Sequence, residues 1–320
     1  MWDFSILRAV GLVLRTWPFT VLRLLVFLGL TAAYVGATSA GAGIGWGIGH
    51  IGSTDFKAAA TFWGGLAGFG AVSFWLWTLR EYLTWMIVAG HVAALTIAFE
   101  GRPLPSGREQ IAFAIAAVKA RFAEVHALFV LDQLVKGAVG AVTRTFEGLA
   151  AFAGAPGLDG LVRLASAVLR MSTTFLDELV LARALIRRSD DAWGNARDSI
   201  VLYAQNAGPV LKNAVWLTVF RFVGTVVLFV VLLAPAGALV WFAPGAATGW
   251  TMLFALGLAV GLRAAVIDPF CIAALMQTWF TRIEGQRPDP AWESRLEEVS
   301  SQFRDLGARA REAFGGRTPG

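Results

Sequence analysis

The chain has 320 residues, of which 57% are hydrophobic and 15% charged, with a formal net charge of +5 and one cysteine. Soluble domains carry about 45–50% apolar and about 25% charged residues, so the excess apolar surface calls for lipid as solvent. The lone Cys271 excludes an intramolecular disulfide and a cysteine zinc cluster, and the basic residues gather in particular loops, which sets membrane orientation and disfavours nucleic acid as a partner.

The stretch from Phe222 to Leu262 holds no Asp, Glu, Lys or Arg, and a helix needs only about 20 apolar residues to cross a hydrocarbon core. Long apolar blocks, in place of short alternating segments, point away from a β-barrel. The expected fold class is therefore all-α: a polytopic integral membrane helical bundle of about six transmembrane helices with an N-terminal interfacial helix.

In chain order, residues 1–17 mix Phe4, Ile6, Leu7, Val10, Val13 and Leu14 with Arg8 and Arg15, an amphipathic pattern suited to the membrane surface. The segment is read as retained, because no short apolar region with a small-residue cleavage site follows. The transmembrane domain, 18–283, opens with a span at 18–38, where Pro18 is acceptable in a first helical turn. Ala40 to Ser53 reads as a glycine-rich loop.

The apolar segment 58–99 is interrupted only by Arg80 and Glu81. A turn there would use Thr78 to Tyr82, which lack Gly, Pro, Asn and Asp, so one long helix is expected, tilted or projecting into the cytoplasm. Gly101 to Ser106, with Pro103 and Pro105, breaks it. A third span at 122–146 carries Glu124, His126, Asp132 and Lys136. The fourth, 161–186, includes Arg163, Arg170, Asp177, Glu178 and Arg183, a load for a buried, half-inserted or interfacial helix.

Ser189 to Lys212 reads as a cytoplasmic helix. Spans at 215–234 and 251–280 follow, separated by a turn from Pro235 to Gly249, and 284–320 is a hydrophilic cytoplasmic tail. With the N-terminus inside, this layout puts Arg8, Arg15, Arg102, Arg108, Lys119, Arg121, Arg187, Arg188, Arg197, Lys212, Arg282 and Arg287 in the cytoplasm. Lys57, Arg144 and Arg163 fall outside, as the positive-inside rule asks.

The order of features resembles the membrane core of the choline transporter-like family. An amphipathic basic helix leads into a span (SILRAVGLVLRTWPFTVLRLLVFLGL), and a long helix ends in small residues before a Pro-containing loop (TWMIVAGHVAALTIAFEGRPLPS). A charged helix runs into a polar segment (FLDELVLARALIRRSDDAWGNARDSIVLYAQNA). The last span reaches an Asp before an acidic juxtamembrane stretch (AVIDPFCIAALMQTWFTRIEG), and Asp268 sits where the family pattern has its Asp. The likeness covers Ser5 to Glu284 and lies in architecture more than motif; the family's large cysteine-rich extracellular region is missing. It implies a transporter for a choline-like organic cation.

Candidate pathway residues are the ionisable groups within spans. Asp132 and Lys136, four apart, share a helix face and suit either an ion pair or a polar pathway lining. Arg80 and Glu81 should face protein or water unless the long helix is displaced to the interface. Arg263 and Asp268, five apart, stand about 140° apart on an α-helix, so each is expected to meet another helix. The Asp268-Pro269 step frees a backbone carbonyl, as at ion sites or plain kinks.

Trp77 and Trp85, in a series with Phe62, Trp63, Phe69, Phe74, Trp75 and Tyr82, can cage a quaternary ammonium or simply pack and anchor. Gly64 with Gly68 and Gly257 with Gly261 permit close helix contact. His91 and His126 read as polar packing residues. No P-loop, nucleophile elbow or paired-carboxylate constellation appears, so no enzyme, cofactor or metal site is expected.

The sequence thus leads to a transporter or permeation protein for a small solute in the plasma (bacterial inner) membrane, with both termini cytoplasmic. Its partners are the lipid bilayer, a small organic cation, and further copies or partner subunits. The alternative is a non-catalytic membrane scaffold or accessory subunit.

Overall fold

The computed structural model describes residues 2–121, 134, 135, 137, 138, 140, 175–187, 191–241 and 248–315, and for 77–85, 120, 121, 176, 177, 185, 187, 192, 239–241, 248–250 and 313–315 it describes the backbone alone. The expected spans 122–146 and 161–186, with Asp132 and Lys136, lie mostly outside the described residues. Every regular element among those described is helical: α1 (Ile6–Arg15), α2 (Trp17–Gly49), α3 (Thr54–Phe99), α4 (Arg108–Arg121), α5 (Leu176–Arg187) and α6 (Ala192–Gln205). Then come α7 (Ala207–Trp241), α8 (Thr248–Leu262), a π-helical stretch (Arg263–Ile267), α9 (Asp268–Ile283), α10 (Pro290–Val299) and α11 (Ser301–Gly315).

Four helices are long and apolar enough to cross a membrane: Trp17–Gly49, Thr54–Leu76, Ala207–Ala238 and Thr251–Ile283. The chain is a helical protein with four helices of this kind among the described residues. It forms two compact units, one from Met1–Pro18, Ala89–Phe220 and Pro269–Gly320, the other from Phe19–Val88 and Arg221–Asp268.

The first unit is built on two helical stretches buried on every side. On α3, Val92, Ala93, Ala94 and Leu95 are each fully buried. Four consecutive buried residues turn through all faces of a helix, so this end of α3 is surrounded by protein. On α9, Cys271 to Trp279 is likewise buried. Phe99 and Phe280 pack at 5.3 Å between ring centroids, and Thr16 Oγ1 lies 3.0 Å from His91 Nε2.

Local signals set the ends of these helices. Ser5 caps α1 by accepting from the Arg8 N–H. Gly101, at φ 71°, closes α3: its N–H donates to the Ala98 carbonyl and that of Arg102 to Ile97. This paired pattern needs a left-handed residue, which glycine adopts without a Cβ clash.

The N-terminus is anchored in the same unit. The Ser5 N–H donates to Gln277 Oε1 at 3.1 Å, and Gln277 Nε2 donates back to the Ser5 carbonyl at 3.2 Å. Lys212, at 2.8 Å, and the Asn213 amide, at 3.0 Å, hold the Asp3 carboxyl below its ordinary range. Their stabilisation is present above the ordinary carboxylate pKa and is lost as pH falls through the lowered value.

The charged tail packs within this unit: α10 and α11 fold onto α6, Leu296, Phe303 and Leu306 are buried, and Arg197 of α6 pairs with Glu293 and Glu297 while lying over the Phe303 ring. One charge of the expected fourth span, Arg183, is held by its neighbours, as the buried reading of that span allows. Arg183 of α5, 3% exposed, donates to the Asn195 carbonyl and to Ser199 Oγ at 3.2 and 2.9 Å.

The second unit shows its apolar side chains outward, among them Phe74 and Trp75 on α3 and Phe222, Val227 and Val231 on α7, each more than half exposed. A surface like this is stable against acyl chains and not against water. The expected Ala40–Ser53 loop is mostly helix, because α2 continues to Gly49.

Its glycines serve packing. A methyl on Gly41 would overlap the Gly64 carbonyl, one on Gly45 the Ala60 carbonyl, and one on Gly68 the Ala37 carbonyl. Spaced by four, they let α2 and α3 pack backbone to backbone. Nor does Pro235 end its helix, which runs on to Trp241; a membrane helix tolerates proline where neighbours satisfy the freed groups. Behind it Ala236, Phe254 and Ala255 form a small core with Val35, Phe229 and Leu233.

Candidate functional site: an arginine cluster around Asp268

The second unit holds one concentration of charge among the described residues. On α7, Arg221 follows the buried Leu217 and Thr218 by one turn and directs its guanidinium at Asp268. Its Nε donates to Asp268 Oδ1 at 2.8 Å and its Nη2 to Oδ2 at 3.3 Å, a two-pronged match of planar fork to carboxylate. Arg263 Nε stands 3.6 Å from Asp268 Oδ1. All three side chains are less than a fifth exposed.

The Arg263–Asp268 contact corrects the 140° argument, which assumed a regular α-helix. Residues Arg263–Ile267 are π-helical, and the Asp268 N–H donates to the Arg263 carbonyl five residues back. In that register residues five apart lie one above the other, so the two side chains meet on one face.

The freed carbonyl expected beside Pro269 also has an owner. Pro269 has no N–H to offer its i−5 carbonyl, which is that of Ala264. Arg23 Nη1 from α2 donates to this oxygen at 3.0 Å. Arg23 is itself 3% exposed.

These groups border a cavity of about 210 Å³. Arg23, Arg263 and Asp268 form its polar side, and Val26, Phe27, Ile87 and Val88 its apolar side. Arginine stays protonated in proteins. Charge this well buried in an apolar helical unit is held by specific partners, and a cluster of it beside a cavity is a functional candidate.

Of the residues singled out in the sequence, Arg263 and Asp268 are brought together here. The side chains of Trp77, Arg80, Glu81 and Trp85 lie outside the described residues, as do Asp132 and Lys136. Phe62, Trp63, Phe74 and Trp75 are more than half exposed on α3, while Phe69 packs at 5.0 Å against the Tyr34 ring of α2. Gly261 meets the Phe27 side chain, while Gly257 has nothing near it. Sequence reasoning missed Arg23 and Arg221. Their available signal was isolation, a single arginine within or at the edge of an apolar run on two different helices.

No protein-family model, characterised protein or solved structure matches this chain. The functional reading rests on the site itself.

Proposed function

We propose that this protein resides in the plasma (bacterial inner) membrane with both termini cytoplasmic, and that it carries a small solute by way of the cavity that Arg23, Arg263 and Asp268 border. The observation that supports this is a cavity of about 210 Å³ with ionisable groups on one side and apolar side chains on the other, in a unit built on helices apolar enough to cross a membrane. Asp268, the countercharge that the family resemblance offers a cation, is engaged by Arg221 and Arg263.

Six spans, counting 122–146 and 161–186, or the four helices alone both fit this orientation, because an even count keeps the two ends on one side. For the scaffold alternative, the alternating charges of the tail would offer a docking surface, although Leu296, Phe303 and Leu306 of that tail are buried.

Uptake into liposomes containing the purified protein tests the proposal. Within a panel of labelled choline, small carboxylates and phosphate, at least one solute should accumulate above empty liposomes, and Arg263→Gln should reduce that signal by about tenfold, the loss of one charge-assisted hydrogen-bonding group. Uptake of none of them, or uptake indifferent to Arg263, would overturn transport by way of this cavity.

A further inference from the structure

We infer that α1 is a lipid-docking helix: its exposed row of Leu7, Val10 and Leu14 seats among acyl chains at the cytoplasmic surface of the bilayer, held by apolar contact rather than by its two arginines. The inference rests on the proposed membrane residence, and it names the face of the helix and the chemistry of what covers it.

The helical period divides α1 into two rows. Ala9, Leu12 and Thr16 are buried within the unit, whereas Leu7 is 85% and Leu14 66% exposed, with Val10 exposed between them. Leu7 and Ala9 stand about 200° apart around the axis, so protein covers one side and the other is bare leucine and valine. The two arginines lie on a flank between these rows and are engaged by the chain itself. The Arg8 guanidinium sits 4.6 Å over the Phe99 ring, and Arg15 Nη1 donates to the Ala98 carbonyl at 3.4 Å. Both meet the C-terminal end of α3, where the carbonyl dipoles favour cations.

Chain continuity and length say what covers the bare row. α1 ends at Arg15, and α2, apolar enough to cross a membrane, begins at Trp17, so α1 is tied to the level where the chain enters the bilayer. Its 10 residues make it about 15 Å long, half of a hydrocarbon core of roughly 30 Å. It is too short to cross, and a short helix with an apolar face fits the interfacial layer, about 5–10 Å deep. Trp2 and Trp17 flank it and are both exposed, and indole, apolar in body with one polar edge, favours the headgroup level. The rotation of α1 is fixed at both ends. Ser5 exchanges two hydrogen bonds with Gln277 of α9, and the Arg15 carbonyl accepts from Gln110 Nε2 of α4 at 3.0 Å. The bare row therefore stays outward.

The test uses the full chain in a Cys271→Ala background, with an environment-sensitive fluorophore on Leu7→Cys, Leu14→Cys, Val227→Cys or Ser301→Cys, reconstituted in phosphatidylcholine vesicles. Labels at Leu7 and Leu14 should be shielded from iodide present on both sides of the membrane. They should lose more emission to lipids brominated near the glycerol end of the chain than to lipids brominated near its terminus. The label at Val227, exposed on the apolar α7, should be quenched by brominated lipid, and that at Ser301, exposed on α11, by iodide alone.

Adding phosphatidylglycerol or salt should leave the shielding at Leu7 unchanged, because the seat is apolar. Two positions on one row keep the test decisive if one variant does not fold. Bromine quenching at Val227 with none at Leu7 and Leu14 overturns the inference while preserving the membrane residence; no bromine quenching at any of the three overturns both. Shielding from iodide without bromine quenching shows protein on the row, a second copy or another chain, and overturns the lipid seat. Shielding that appears only with phosphatidylglycerol overturns it too, in favour of attachment through Arg8 and Arg15.

Discussion

Asp268 is held by guanidinium groups at positions 47 residues upstream and five residues upstream, one across a helix pair and one within its own helix. Removing only the carboxylate would leave like charges facing each other in a largely buried place, which costs about 3–5 kcal/mol when a buried pair is broken. Asp268→Asn should therefore be strongly destabilising. Adding Arg221→Gln should recover part of the loss, with a coupling of about 1–3 kcal/mol in a double-mutant cycle read from unfolding in mixed micelles. Additive losses would show that the two side chains do not depend on each other. Arg221 was invisible as a partner in the sequence because nothing there says which two helices pack.

At the scale of elements, the α2–α3 hairpin is set by where glycine is required rather than by how many glycines there are. Gly41 and Gly64 face each other's carbonyl oxygens, while Gly36, Gly43 and Gly70 have nothing within 4 Å. Gly41→Ala should cost about 1–3 kcal/mol through overpacking, since a methyl there must push two backbones apart. Gly43→Ala should be neutral, or favourable by a few tenths of a kcal/mol from helix propensity. Equal behaviour of the two variants in thermal unfolding would argue against close backbone packing. The spacing of Gly64 and Gly68 was legible as a contact device. The stretch Ala40 to Ser53 was misjudged as a loop because glycine's low helix propensity belongs to water, where exposed backbone has an alternative partner.

At the scale of the whole molecule, the proposed orientation rests on where the basic residues fall and on an even number of crossings. Single cysteines in a Cys271→Ala background should make this testable with an impermeant thiol reagent in sealed cells. A cysteine at Ser53 should react from outside, and those at Ser106 and Ser301 should not. Gly154→Cys decides the count: labelling there supports crossings at 122–146 and 161–186, and protection supports the four helices alone. Labelling at Ser106 would overturn the proposed orientation altogether.

Composition and hydropathy alone pointed to a helical chain with helices apolar enough to cross a membrane, because the demand that every backbone group be satisfied without water leaves few other structures for so many apolar residues. The sequence also determined that 58–99 needs no break, since Thr78 to Tyr82 offers no turn chemistry, and α3 runs unbroken from Thr54 to Phe99. What only the tertiary structure decided is which charges meet. The 3.6-residue period separates Arg263 from Asp268, and the π-helical register that joins them belongs to a fold in which Pro269 withholds an N–H and Arg23 supplies another donor to Ala264. The same holds for the charged tail: its alternating residues look solvated one at a time, and only packing against α6 reveals that Leu296, Phe303 and Leu306 are core. Periodicity is local, whereas the partner of a buried charge or of an apolar face is chosen by helices far away in the chain.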